Sequence, residues 1–342
     1  MTTHVHALAL KESHGKLQPY EFAYEGDLQP HQLEVEVLYC GVCHSDLSMA
    51  NNDWGMTQYP LVPGHEIIGR VSALGEEAAS KGLAVGQNVG IGWFTDSCLH
   101  CHPCLSGDHN LCTTGEQTIV GRPGGFASKI RCGWIWATPL PASLDLTKAG
   151  PLFCGGITVF NPIIQNEVRP TQRVGVVGIG GLGHLALQFL NKWGCEVTAF
   201  TSSDSKTEEA KQLGAHHVVN SRNGTELEKI AGSLDFILNT ANADLDWNAL
   251  LAALAPKGRF VTVGAVPNPI AVPAFALIAG QKSVGGSPLG SPATVQTMLE
   301  FCGRHGIAPV TEHFNMSEAN EAFAHLEAGK ARYRIVLKND LN

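Results

Sequence analysis

The densest chemistry in the 342-residue chain lies in CLHCHPCLSGDHNLC, where Cys98, Cys101, Cys104 and Cys112 fall within fifteen residues. Two-residue gaps between cysteines let a turn point both thiolates at one ion, and a fourth cysteine eight residues on can close a tetrahedron. Four sulfurs saturate zinc and leave no open position, so this pattern describes a structural site, not a catalytic one. A chain of this length does not need disulfide staples, and in a reducing cytosol clustered cysteines more often hold metal. His100, His102 and His109 are interleaved and read as solvated loop histidines.

A second set is scattered: Cys43 in GVCHSDL, His65 and Glu66 in PGHEIIG, and Cys154 in LFCGGIT. Singly, a cysteine is a small core residue and a histidine a solvated or hydrogen-bonded one. Together, two sulfurs and an imidazole bind zinc and keep a fourth position open for water or substrate, as a catalytic site requires. The ligands lie far apart, so spacing alone does not join them.

A third set is Gly178-Ile-Gly-Gly-Leu-Gly183, a match to GxGxxG. It follows the strand-like VGVV and opens the helix-like HLALQFL, the context that separates a dinucleotide site from a merely glycine-rich turn. Gly178, Gly180, Gly181, Leu182 and Gly183 would let backbone approach a pyrophosphate at a helix N-terminus. An NAD site usually carries an acid at the end of the next strand, roughly twenty residues on, for the ribose hydroxyls. That strand ends AFTSSDSK, and Thr201 stands where the acid is expected, followed by Ser202, Ser203 and Lys206. Hydroxyls and a cation suit a 2′-phosphate, which an acid would repel, so the expected cofactor is NADP(H). Asp204, if displaced by a turn, is the alternative ribose acid.

These sets need elements to hold them. LEVEVLY (33–39) alternates apolar and polar, the period of a half-buried strand, and Pro and Gly punctuate the chain from Pro60 to Gly92. The first 150 residues therefore predict an antiparallel barrel or sandwich with long loops. After Gly155 strands and helices alternate: 173–177 with the helix to Gly194, then strands 196–203, 216–220, 234–241, 259–265 and 282–287. Helices are expected at 206–214 and 245–258. This order predicts a doubly wound parallel sheet. The tail, from PATVQTMLEFCGRHG to YRIVLK, reads helix, helix, strand.

Charge and hydropathy exclude other classes. A net charge of −8 without a basic run argues against a zinc-binding regulator of nucleic acid. The first residues lack a basic n-region, and no stretch of eighteen apolar residues occurs, so neither a signal peptide nor a membrane span is expected. The expected location is cytoplasmic.

GVCHSDL, NDWGMTQYPLVPGHEIIGRV, CLHCHPCLSGDHNLC, GGFASK, GITVFNP and VGIGGLGHLALQ together resemble the zinc-dependent medium-chain alcohol dehydrogenases. Within them the chain most resembles the cinnamyl alcohol dehydrogenase branch, which includes NADPH-dependent aldehyde reductases. The resemblance implies an α/β protein. A GroES-like, β-rich catalytic domain covers 1–155 and is completed by 291–342, and a Rossmann doubly wound domain covers 156–290. It implies two zinc ions per chain. Catalytic zinc lies on Cys43, His65 and Cys154, with Glu66 able to approach it, and structural zinc on the four-cysteine loop. It implies Thr158 beside the cofactor, and a homodimer pairing Rossmann strands near Ser283 to Ser287. Ser45 matches the family's proton-relay position, while Ser48 stands where the relay often continues through histidine. Trp54, Met56, Trp93 and Phe94 lie where the family lines its substrate pocket, which suits aromatic, cinnamyl-type or medium aliphatic aldehydes. The stretch after Cys112 is shorter than in plant members, so monolignol specificity does not carry over. An NAD-dependent polyol or secondary alcohol dehydrogenase is the alternative and would be expected to carry an acid at position 201. A zinc-free quinone or enoyl reductase would lack Cys43, His65 and the cysteine loop.

Overall fold

The computed structural model describes residues 2–341. It divides into two compact units, Met1–Cys154 with Gly290–Asn342, and Gly155–Leu289. Among the described residues no helix is long and apolar enough to cross a membrane.

In Gly155–Leu289, six strands form one parallel sheet. Their spatial order is His217–Asn220, Glu196–Thr201, Arg173–Val177, Leu234–Asn239, Leu254–Thr262, Ser283–Gly286. The chain starts at the third of these, runs to one edge, returns past its start and continues to the other edge. That reversal defines a doubly wound sheet, and ligands bind beyond the carboxyl ends of the strands where it occurs. The strands are continuous apolar runs because helices cover both faces: Val174, Val176, Phe236, Ile237 and Leu238 are all fully buried. Helix Gly183–Trp193 packs on helix Gly155–Gln165, with the Phe160 and Phe189 rings 5.2 Å apart.

One expectation fails here. The helix read over 245–258 spans only Trp247–Ala253. Leu254 already pairs with Leu234, and Pro256 has no amide hydrogen with which to continue a helix. After a bulge the chain runs as strand, Arg259 against Phe236.

In the other unit, the eleven-residue strand Gln32–Val42 is central. It pairs antiparallel with Ile67–Leu74 along its length, with Lys129–Gly133 over its first half, and with Arg334–Lys338 over its end. Ile335 lies opposite Val42, so the last strand borders the point where Gln32–Val42 delivers Cys43. Leu33, Val35, Ile67, Val89, Phe126, Ile130 and Ile335 share one core beneath this sheet. The tail also holds the strand Thr311–Asn315, parallel to Arg334–Lys338, which the helix-helix-strand reading omits. It is an edge strand with no buried residue, so no apolar alternation marks it.

Candidate active site and metal centres

Cys43 stands between strand Gln32–Val42 and helix His44–Asn51, where it is the N-cap. His65 and Glu66 precede strand Ile67–Leu74, and Cys154 ends the short turn Gly150–Phe153. The fold brings the four together: their ligand atoms lie within 4.8 Å of one another, and all are buried. Cys43 Sγ and Cys154 Sγ are 3.9 Å apart. A disulfide needs about 2.05 Å, whereas a tetrahedron with metal–sulfur bonds of about 2.3 Å has edges of about 3.8 Å. His65 Nε2 and Glu66 Oε2 are buried without a hydrogen-bond partner. Buried polar atoms are rarely left so, and a cation among these donors would satisfy both. The residues therefore fit zinc.

Two residues that sequence reasoning misses organise this group. Asp46, fully buried, accepts from Cys43 N (2.9 Å), Gly64 N (2.8 Å) and His65 Nδ1 (2.9 Å). Because the carboxylate accepts, the proton sits on Nδ1 and Nε2 is left as the metal-facing nitrogen. Burial opposes a charge on His65, and the Asp46 carboxylate overrides it and lifts the imidazole pKa well above its ordinary value. The signal was an acid three residues after the first ligand cysteine. Arg334, from the last strand, pairs with Glu66 Oε1 and is itself buried. Burial pushes the Glu66 carboxyl up to about 7, against the pull of Arg334. Glu66 lies so close to the neighbouring strand that a Cβ at Gly41 would meet its Oε2 at 1.9 Å. The hydrogen bond from Cys154, then Arg334 and His65, hold the Cys43 thiol well below its ordinary pKa against the opposing effect of burial. The Ser45 hydroxyl lies 3.8 Å from Cys43 Sγ.

The four cysteines of the loop also meet. Cys98 and Cys104 are 3.9 Å apart through sulfur, as are Cys101 and Cys112, and all four sulfurs lie within 4.8 Å. These are again the edges of a metal–sulfur tetrahedron rather than disulfides. Backbone amides of His100 and Cys101 bring the Cys98 thiol down to about 6, while burial pushes Cys104 up to about 12. His100 is exposed and bonded to Cys98 O, in keeping with a solvated loop histidine.

The glycine turn links strand Arg173–Val177 to helix Gly183–Trp193, beyond the carboxyl end of the strand. Gly178 has φ +85°, and a Cβ at Gly183 would lie 1.9 Å from Gly178 O, so neither position admits a side chain. Gly180, Gly181 and Leu182 are half-buried. Thr201 ends the next strand and is buried, its hydroxyl turned into its own loop toward Ser203. Ser202 is exposed, and Lys206 Nζ reaches Ile179 O in the glycine turn at 3.2 Å. The Asp204 side chain lies outside the described residues. Thr158 is half-buried in helix Gly155–Gln165.

The proposed pocket residues divide. Trp93 stands edge-on to His65, centroids 5.0 Å apart, and Trp54 stands edge-on to Trp93 at 6.1 Å. Trp54 and Met56 are exposed, at 43% and 45%. Phe94 turns away: it is buried and packs on Trp136 at 5.1 Å, in the layer beside the cysteine loop. Trp93 lies in the bend before strand Phe94–Asp96 and faces His65, whereas Phe94 opens the strand and faces Trp136, so the two line different surroundings.

Two family descriptions match the chain, an alcohol dehydrogenase GroES-like domain over residues 29–142 and a zinc-binding dehydrogenase domain over 181–304. The chain is 53% identical to the aldehyde reductase AdhA of Synechocystis, over 99% of this chain and 100% of that one. A cinnamyl alcohol dehydrogenase from Sorghum bicolor superposes with a TM-score of 0.93 at 36% identity, covering 99% of both chains. The cinnamyl alcohol dehydrogenase of Helicobacter pylori in complex with NADP(H) gives 0.89 at 28% identity, again over 99% of each. The fold, the two clusters of ligand atoms and these likenesses agree: the chain belongs to the zinc-dependent medium-chain alcohol dehydrogenases, in their cinnamyl alcohol dehydrogenase branch.

Proposed function

We propose that this protein is an NADPH-dependent aldehyde reductase with two zinc ions per chain. A catalytic zinc would be held by Cys43, His65 and Cys154, with Glu66 Oε2 the further donor in the same group. The structural zinc is held by Cys98, Cys101, Cys104 and Cys112. The observation that carries the reading is the group of two sulfurs, His65 Nε2 and Glu66 Oε2, buried together with the last two lacking any partner. Zinc in such a site polarises a carbonyl as a Lewis acid, a contribution of several kcal/mol, and the nicotinamide supplies the hydride.

The chain's own residues do the rest. Asp46 fixes the His65 ring, Arg334 balances the carboxylate of Glu66, and Ser45 passes a proton to the reduced oxygen. The edge-on row Trp54–Trp93–His65 favours flat, conjugated aldehydes. Ser202, Ser203 and Lys206, with no acid at Thr201, favour NADP(H) over NAD(H). A homodimer is supported by the edge strand Ser283–Gly286, exposed beside Phe275 and Ile278, which are 78% and 67% exposed. Ten unbridged cysteines favour a reducing, cytoplasmic setting.

The test follows cofactor absorbance with a panel of aromatic, cinnamyl-type and aliphatic aldehydes, using NADPH and NADH in parallel. Catalytic efficiency should be higher with NADPH and highest with conjugated aldehydes. Equal values, or NADH ahead, refute the cofactor assignment, and no consumption with either refutes the reductase. Metal analysis should find about two zinc per chain, one for each of the closed and open site types, and light scattering should give twice the chain mass.

A further inference from the structure

The glycine turn presents three successive carbonyls, and each is taken by a side chain. The Thr240 hydroxyl donates to Gly178 O at 2.7 Å. Lys206 Nζ donates to Ile179 O at 3.2 Å. His184 Nδ1 lies 3.1 Å from Gly180 O, and because a carbonyl only accepts, that nitrogen carries the proton. The three donors come from different elements: Thr240 and Lys206 follow the strands that flank Arg173–Val177 on its two sides, and His184 lies in the helix that the turn opens.

Thr240 is the member that stands outside the motif. It follows strand Leu234–Asn239 and is 8% exposed. Its amide donates to Val177 O at 2.9 Å, which extends the pairing of the two strands by one bond and seats the hydroxyl over the first peptide of the turn. The hydroxyl also lies 2.9 Å from Val177 O, so its one proton is shared between two carbonyls, with the shorter contact to Gly178 O. Gly178 O is thereby wedged between this hydroxyl and the Cα of Gly183, where a Cβ would approach it to 1.9 Å. A trans peptide points its C=O and N–H in opposite directions. A flip of the Gly178–Ile179 peptide would turn the negative end of a dipole toward the place where an anion must sit.

We propose that Thr240 is a positioning residue for the dinucleotide: its hydroxyl holds the Gly178 carbonyl inward and so keeps the turn's amides aimed at the pyrophosphate. The proposal rests on the reading that this turn binds a nicotinamide dinucleotide. The experiment titrates NADPH by fluorescence into the full-length protein, Thr240→Val and Thr240→Ser, and measures KM and kcat for each. Valine keeps the shape and removes the donor, and serine keeps the donor. NADPH should bind Thr240→Val about tenfold more weakly, the effect of one lost hydrogen bond. The KM for NADPH should rise in step, while kcat at saturating NADPH and the KM for aldehyde stay at the parent values. Serine should restore tight binding. A merely structural role would lower the melting temperature and the active fraction, hence kcat, without changing NADPH affinity. If Thr240→Val fails to fold, Thr240→Ala removes the same donor and takes its place. Unchanged affinity without the hydroxyl, or serine as weak as valine, overturns the proposal alone. A parent protein that binds neither NADPH nor NADH overturns the dinucleotide reading and the proposal with it.

Discussion

Replacing Asp46 by Asn tests whether the catalytic metal is set by the residues behind its ligands. The buried carboxylate accepts three hydrogen bonds, from Cys43 N, Gly64 N and His65 Nδ1. An amide offers one acceptor oxygen and puts an NH2 group in the other place. With the oxygen toward Gly64 and His65, the Cys43 amide faces a donor; with the amide reversed, both Gly64 and His65 do. The better arrangement still leaves one buried donor unpaired, at about 1–3 kcal/mol, and removes the charge from two remaining bonds, for a total near 3 kcal/mol. His65 loses the anchor that orients its ring, and zinc affinity should fall by about 10–100-fold. The assay is competition with a chelator while zinc release is followed by a metallochromic dye. The four-cysteine site does not touch Asp46 and serves as an internal reference. One pool of zinc should leave Asp46→Asn at much lower chelator concentration, activity should disappear with that pool, and the second pool should follow the parent curve. A variant that holds both pools as tightly as the parent refutes the argument.

Other substitutions separate the roles of neighbouring residues. Cys154→Ser should abolish turnover while NADPH titration still shows binding; retained turnover refutes the ligand assignment. Cys101→Ser should lower the melting temperature first and activity only through unfolding, so a folded, heat-resistant but inactive variant contradicts it. Trp93→Ala should raise KM for conjugated aldehydes, whereas Phe94→Ala should cost about 3–4 kcal/mol of stability with aldehyde KM unchanged; the reverse pattern would restore Phe94 to the pocket. Burial pushes the Glu34 carboxyl up, and Lys129 and Arg131 more than reverse this and hold it below its usual range. A depressed carboxyl stabilises the fold above the unfolded pKa and loses that contribution as pH falls through the folded one. Glu34→Gln removes the carboxylate that pairs with Arg131 and Lys129 and leaves the buried Arg131 only its bonds to Gly26 O and Thr3 Oγ1, and chemical denaturation should show a loss of about 3 kcal/mol near neutral pH that shrinks in acid.

What could be read from the sequence followed from how local each signal is. The strand, glycine turn and helix over 173–194 carry their periodicity and punctuation within some twenty residues. The cysteine loop carries its spacing within fifteen, so both were legible. The residues Cys43, His65 and Cys154 were legible as candidates only, since sequence cannot state that their atoms meet. Asp46 was hidden because its work depends on Gly64 and His65, which a turn brings back to it. Arg334 was hidden more deeply, because it depends on the register that sets Ile335 against Val42. Trp93 and Phe94 looked alike by offset, and only the bend between them, which sends one ring to His65 and the other to Trp136, separates them. The edge strand Thr311–Asn315 was missed because it buries nothing that could mark its period.

Because Arg334 belongs to the last strand, the proposed metal assignments imply an order of events during synthesis. The loop from Cys98 to Cys112 closes over a short stretch and is complete as soon as it emerges from the ribosome, so its metal can be captured early and locally. A nascent chain that has reached Cys154 already holds every donor of the other site, yet lacks the cation that balances Glu66 and the strand that borders Cys43. Until Arg334–Lys338 is made and paired, two thiols, an imidazole and an uncompensated carboxylate are collected without their frame. On the proposed assignment of two zinc ions, the loop's ion would be captured before the last strand is made, and the frame of the other would be complete only after it.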